Sequence, residues 1–338
     1  MSTLEVRDLT VEFGQRGGTP LRAVDGLSMT LREGQTLALV GESGSGKSTV
    51  VRALSRLLRP AAGQILIDDE RVGRRGSGLR AYRRRVQPIF QDPYASLNPM
   101  HDIRHHLARP IQLSRAHLGG HLTGTELDGA VSDLLRSVNL TPPEEVARKH
   151  PHELSGGQRQ RVAIARALGT GPDVLLADEP VSMLDVSIRL EILNLLDALK
   201  RDRNLAMLYV THDLATARHF ATEIMVMYRG EIVERGPSDE VILSPAHPYT
   251  QLLAAAAPDP TAPRAEQAAA RRARQTARGL KTAPAAERRE TALDQGCRFR
   301  ARCPHAMEIC RTRPPDLQVT SGHLARCWLY KASGPAVA

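Results

Sequence analysis

"LALVGESGSGKSTVVRALSRLLRP", residues 37–60, carries the reading that decides the fold. An apolar run meets a glycine-rich turn, and Val50, Val51, Leu54, Leu57 and Leu58 then recur at helical spacing, so the stretch reads as strand, loop and helix. Gly41, Gly44 and Gly46 let backbone amides turn inward around phosphate oxygens, and a helix beginning near Lys47 adds its partial positive charge. Lys47 is expected on the β and γ phosphates of a nucleotide, and the Ser48 hydroxyl on a magnesium ion. A glycine turn that binds nothing is the plainer alternative. The full pattern arises by chance in about one chain in a hundred of this length, and its strand and helix flanks favour nucleotide binding.

A second apolar run, "DVLLADEP" at 173–180, ends in two adjacent carboxylates. Successive strand residues point to opposite sides, so Asp178 and Glu179 are given different tasks: Asp178 holds magnesium through a coordinated water, and Glu179 activates the attacking water. Between the two runs, in "HELSGGQRQRVAIARALG" at 152–169, Ser155 and Gln158 have capping-box spacing. This predicts a second helix start with free amides. A chain with two anion sites and one phosphate loop suggests that the two do not meet within one molecule.

The composition is that of a folded protein, with 41% hydrophobic and 25% charged residues in a chain of 338. No run reaches the roughly 18 apolar residues of a membrane span, and the amino terminus lacks a basic-then-apolar leader, so a cytosolic location is expected. The net charge of +9 fits a nucleic-acid or anionic-lipid surface, but aromatics are only 3%, and a solvated basic face explains the arginines as well. His101, His105 and His106 lack an acidic partner and are read as solvated surface.

Taken in order, these motifs resemble those of ATP-binding cassette (ABC) ATPases. "LSGGQ" at 154–158 is similar to the family signature, and "GESGSGKST" (Gly41, Glu42, Ser43, Gly44, Ser45, Gly46, Lys47, Ser48 and Thr49) to its phosphate loop. The resemblance implies an α/β fold: a RecA-like core with an antiparallel β edge over residues 1–245, and a helical subdomain over about 92–170. Gln91 in "IFQDPYASLNP" matches the loop glutamine that senses the metal and contacts the membrane partner, and His212 in "YVTHD" matches the switch histidine. Asp185 in "SMLD" matches the loop after the second carboxylate, with Met183 where alanine is usual, and Phe13 resembles the aromatic residue that stacks on adenine. In such proteins Ser155, Gly156, Gly157 and Gln158 of one cassette cover the ATP held by another. A homo- or heterodimer, bound to ATP and magnesium, is therefore implied.

Beyond residue 245 the composition shifts. Residues 258–295 hold eleven alanines and seven arginines and read as a linker or spacer. Four cysteines, Cys297, Cys303, Cys310 and Cys327, then fall within 296–330, after a stretch that contains none. Gaps of five, six and sixteen residues lack the C-x2-C knuckle of most zinc sites, which favours an iron–sulfur cluster over zinc and leaves unliganded thiols open. "SPAHPYTQLL" and "GCRFRARCPHAMEICRTRPPDLQ" resemble the carboxyl-terminal extension of the oligopeptide and dipeptide uptake subfamily, which is associated with a [4Fe-4S] cluster. That extension would span 246–338. It implies an ATPase on the cytoplasmic face of the membrane that docks on two permease subunits, and through them serves an extracytoplasmic substrate-binding protein. A nickel importer of the same subfamily, and a soluble ABC ATPase working on nucleic acid or ribosomes, are the alternatives. The absence of a second cassette or a coiled-coil insertion weighs against the soluble enzyme, and nucleic acid is not expected as a partner.

Overall fold

The computed structural model describes residues 3–14, 20–73, 75–256 and 296–331. Two long strands, β1 (Thr3–Phe13) and β2 (Leu21–Arg32), precede the short β3 (Thr36–Val40) and helix α1 (Lys47–Leu54). β4 (Ala62–Ile67), β5 (Glu70–Arg71), α2 (Gly76–Arg85) and β6 (Val86–Ile89) follow. Five helices come next: α3 (Pro93–Ser96), α4 (Ile103–His117), α5 (Gly124–Ser137), α6 (Pro143–Arg148) and α7 (Gly156–Leu168). The chain then alternates through β7 (Val174–Asp178), α8 (Val186–Arg203), β8 (Ala206–Thr211), α9 (Leu214–Phe220) and β9 (Glu223–Tyr228). β10 (Glu231–Pro237), α10 (Ser238–Leu243) and α11 (Pro248–Ala256) lead out of the core, and β11 (Leu317–Thr320) and β12 (His323–Ala325) close it.

Two sheets result. The smaller is antiparallel in the order β2-β1-β4-β5, and the larger runs β11-β12-β10-β9-β3-β8-β7-β6. Within the larger, β9, β3, β8, β7 and β6 are parallel, and every residue of β3, β7 and β8 is buried. Helices and the smaller sheet cover both faces, which is why these strands read as continuous apolar runs instead of alternating. The carboxyl ends of β3, β7 and β8 share one edge, where parallel sheets present ligand crevices.

Residues 92–170, expected as a helical subdomain, include α4 and α5, which pack through Leu107, Ile111, Leu127, Val131, Leu134 and Leu135. Two expectations need correction. α1 stops at Leu54, because Arg56 turns into the left-handed region at φ 57° and the amides of Leu57 and Leu58 both bond Arg52 O; Leu57 is exposed. His106 is buried, with Nε2 at 3.0 Å from Asn98 O, and burial lowers its pKa, whereas the exposed His101 and His105 stack at 3.9 Å.

The expected linker at 258–295 lies outside the described residues. The cysteine-bearing segment, with too few apolar groups for a core of its own, joins the edge of the main sheet: β12 pairs with β10 through Glu234↔Ala325 and Arg235↔Leu324. The buried Glu234 carboxylate anchors the junction, accepting the amides of Ala246 at 2.7 Å and His247 at 2.8 Å and facing His323 Nε2 at 2.7 Å. Arg298 pairs with Asp25 and Glu231, Arg313 with Glu231, and Phe299 packs between Tyr228, Tyr249 and His247.

Candidate active site

The loop from Gly41 to Gly46 joins β3 to α1 at the crevice edge. Gly46, the N-cap of α1, sits at φ 109°, and a Cβ there would meet Ala23 O at 2.3 Å; one on Gly41 would meet Met227 O at 2.2 Å. Only glycine fits at either position. Lys47 folds back over the loop, Nζ donating to Gly41 O at 2.7 Å and Glu42 O at 2.9 Å. Burial lowers its pKa, an effect opposed by Glu179, Asp178 and Glu42. The Ser48 hydroxyl donates to Asp178 Oδ1 at 3.1 Å.

Asp178 is the last residue of β7 and Glu179 follows it outside the strand, so it is the turn at Glu179 and not strand alternation that sets the two side chains apart. Asp178 is buried, and burial together with the neighbouring Glu179 raises its pKa despite the Ser48 bond. Glu179 leaves the strand with φ 46°, a conformation non-glycine residues seldom adopt outside constrained sites, and its amide still bonds Val210 O. Its carboxylate accepts Gln91 Nε2 at 3.3 Å and lies 3.2 Å from His212 Nδ1. The His212 contact lowers the Glu179 pKa and raises that of His212. Glu179, Ser182, Thr211, His212 and Asp213 line one cleft. The structure thus brings Lys47, Ser48, Gln91, Asp178, Glu179 and His212 together from β3, β6, β7 and β8.

Other expected residues stand apart. Ser155 caps α7 in a reciprocal box, with Gln158 N to Ser155 Oγ at 3.3 Å and Ser155 N to Gln158 Oε1 at 3.0 Å. Gly157 lets this helix start approach α8, since a Cβ there would meet Ile188 Cγ2 at 2.8 Å. Among the described residues no hydrogen bond joins residues 155–158 to the phosphate loop. Asp185, the N-cap of α8, is exposed beside Met183 and Val186, and Phe13 is 41% exposed at the end of β1.

Two residues at this site escaped the sequence reading. The Glu42 amide donates to Tyr249 Oη at 2.8 Å, and the Glu42 carboxylate receives both terminal nitrogens of Arg302 at 3.1 Å. These partners lie 207 and 260 positions away, and no local pattern marks them.

Farther out, the four cysteines line a single cavity with His247, Phe299 and Trp328. Burial pushes the thiols of Cys297 and Cys303 up and that of Cys327 to about 11, opposed by backbone hydrogen bonds from Phe299, His305 and Leu329. Among the described residues no three His, Cys, Asp or Glu side chains are grouped to hold a metal ion. The expected cluster therefore has its four donors around one cavity without a converging ligand set.

Residues 24–182 match the family described as "ABC transporter", and residues 233–310 match "Oligopeptide/dipeptide transporter, C-terminal region". The chain is 38% identical to the oligopeptide transport ATP-binding protein AppF of Bacillus subtilis, over 97% of both chains. The chain belongs to the peptide-transport family of ABC ATP-binding proteins. Another relative in this ABC family is the di/tripeptide transport ATP-binding protein DppF of Pseudomonas aeruginosa, 39% identical over 96% of this chain and 97% of that protein. Among solved ABC cassettes, the dimeric structure of the bacterial cassette MJ0796 superposes with a TM-score of 0.62 at 29% identity, covering 70% of this chain and 98% of that one. CbiO1 from Clostridium perfringens, part of the ABC transporter complex cbiONQ, gives 0.61 at 28% identity, covering 71% and 90%. The fold is that of an ABC ATPase cassette, and the protein is an ATP-binding ATPase of that class.

Proposed function

We propose that the chain is the ATP-hydrolysing subunit that powers a membrane importer of di- or oligopeptides. The observation that carries this reading is the Glu179 carboxylate, held between Gln91 and His212 above the phosphate loop in a chain whose relatives are named for peptide transport. Glu179, held in place by His212, takes the proton of the water that attacks the γ phosphate, and His212 contacts that phosphate. Lys47 exchanges its loop carbonyls for phosphate oxygens, while the amides from Gly41 to Thr49 cradle the triphosphate and Phe13 stacks on the adenine. Ser48, Gln91 and Asp178 are the residues that would hold magnesium, whose charge stabilises the transferring phosphoryl group.

ATP on one cassette is covered by Ser155, Gly156, Gly157 and Gln158 of a second, with Asp185 at the seam. This reading is supported by the separation of those residues from the phosphate loop of their own chain and by the exposed Met183 and Val186. Residues 1–245 form the cassette, 92–170 its helical subdomain and 246–338 the extension. Two permease subunits dock near Gln91, where Tyr94 and Met100 are exposed, and the substrate-binding protein acts through them. Among the described residues no helix is long and apolar enough to cross a membrane, which fits a peripheral subunit on the cytoplasmic face. A Glu179→Gln variant should bind ATP and dimerise but hydrolyse it at least about a hundredfold more slowly. Wild-type turnover would overturn the assignment of the base.

The four cysteines around one cavity support a [4Fe-4S] cluster, with zinc as the alternative. Backbone N–H donors to three of the sulfurs suit thiolates. Anaerobically purified protein should contain about four irons with broad visible absorption; stoichiometric zinc without iron would exclude the cluster.

A further inference from the structure

The phosphate loop is gripped from outside the nucleotide core, and both grips close on Glu42. Its amide donates to Tyr249 Oη at 2.8 Å, and its carboxylate is held by both terminal nitrogens of Arg302 at 3.1 Å. Tyr249 is fully buried, with its ring 4.6 Å from Tyr228 and 5.5 Å from Phe299. Arg302 lies over the same two rings, at 5.7 Å from Tyr228 and 5.6 Å from Phe299. Its backbone belongs to a tight turn, closed by Arg300 N to Cys297 O at 3.0 Å and Arg302 N to Phe299 O at 2.9 Å, and tied to Cys310 by Cys297 N at 2.9 Å. Neither side chain can shift without disturbing this packing.

The chemistry explains why Glu42 needs such partners. A carboxylate in a loop that takes several phosphate charges repels them unless it is neutralised, and a bidentate guanidinium both neutralises and orients it. Lys47 Nζ bonds the carbonyl of the same residue, so the position of Glu42 also sets that of the lysine. We infer that Arg302 and Tyr249 are positioning residues of the phosphate loop, which makes nucleotide affinity depend on the carboxyl-terminal segment being docked. The inference rests on the reading of residues 41–49 as the nucleotide site.

Binding of ATP with magnesium to the full-length chain, measured by calorimetry on a Glu179→Gln background, tests it without turnover. Arg302→Ala should weaken binding about tenfold, and more at low salt, because it leaves the Glu42 charge facing the phosphates. Adding Glu42→Gln to Arg302→Ala should restore most of the affinity, which the loss of a purely structural arginine would not allow. Tyr249→Phe, which removes one oxygen and keeps the packing, should weaken binding about threefold to tenfold. Wild-type affinity in Arg302→Ala and Tyr249→Phe, or a loss that Glu42→Gln does not restore, would overturn the inference. Lys47→Ala separates the two readings: loss of ATP binding there, with Arg302→Ala unaffected, refutes only the positioning role, whereas intact binding in Lys47→Ala refutes the phosphate-loop assignment and this inference with it.

Discussion

At the residue scale, the contact between Glu179 and His212 couples two titrations. The carboxylate raises the His212 pKa and the imidazole lowers that of Glu179. The pair therefore contributes to stability between the depressed Glu179 value and the raised His212 value. It is lost as pH rises through the second or falls through the first. The contribution is small, because the His212 side chain is 60% exposed and solvent screens the contact. In nucleotide-free protein, the His212 ring signals followed by NMR should titrate above the usual imidazole midpoint, and Glu179→Gln should bring the midpoint down. An unchanged midpoint would mean that the two side chains do not meet in solution. Asp178 and Glu179 were legible because they are adjacent and end an apolar run. The positive φ of Glu179 was not, since it depends on the strand bonds around it.

At the element scale, local signals account for the strands and caps that carry the motifs. The Ser155 to Gln158 spacing predicted a capping box and the structure has one, because both hydrogen bonds close within a single turn. The end of α1 was misread, since Leu57 and Leu58 keep the helical period while the backbone has already turned at Arg56. The pairing of β12 with β10 had no local signal; its anchor is Glu234 facing His323, 89 positions away. His323→Ala removes one partner of a fully buried carboxylate. It should cost about 3 kcal/mol in chemical denaturation and expose the segment after residue 296 to protease. A loss below about 0.5 kcal/mol would show that this junction does not hold the segment.

At the scale of the whole molecule, Met183, Val186 and Leu190 leave an exposed apolar strip next to Asp185, and monomeric surfaces seldom keep such patches without a partner. Val186, 79% exposed, lies outside the core, so Val186→Lys should leave folding and thermal stability unchanged. The same change should abolish ATP-dependent dimerisation of the Glu179→Gln variant, read by size-exclusion chromatography with light scattering. Retained dimers would place the interface elsewhere. What the sequence determined by itself was whatever is written in contiguous residues: the glycine loop, the paired carboxylates, the capped signature helix and the apolar strands that carry the motifs. Each of these depends on backbone conformation or periodicity over a few positions. The tertiary structure alone decided that Glu179 meets both Gln91 and His212, that the cysteine segment extends the core sheet, and that Arg302 and Tyr249 reach Glu42. Those contacts join residues from 33 to 260 positions apart, and only the packing of the sheet and its helices brings them within a hydrogen bond.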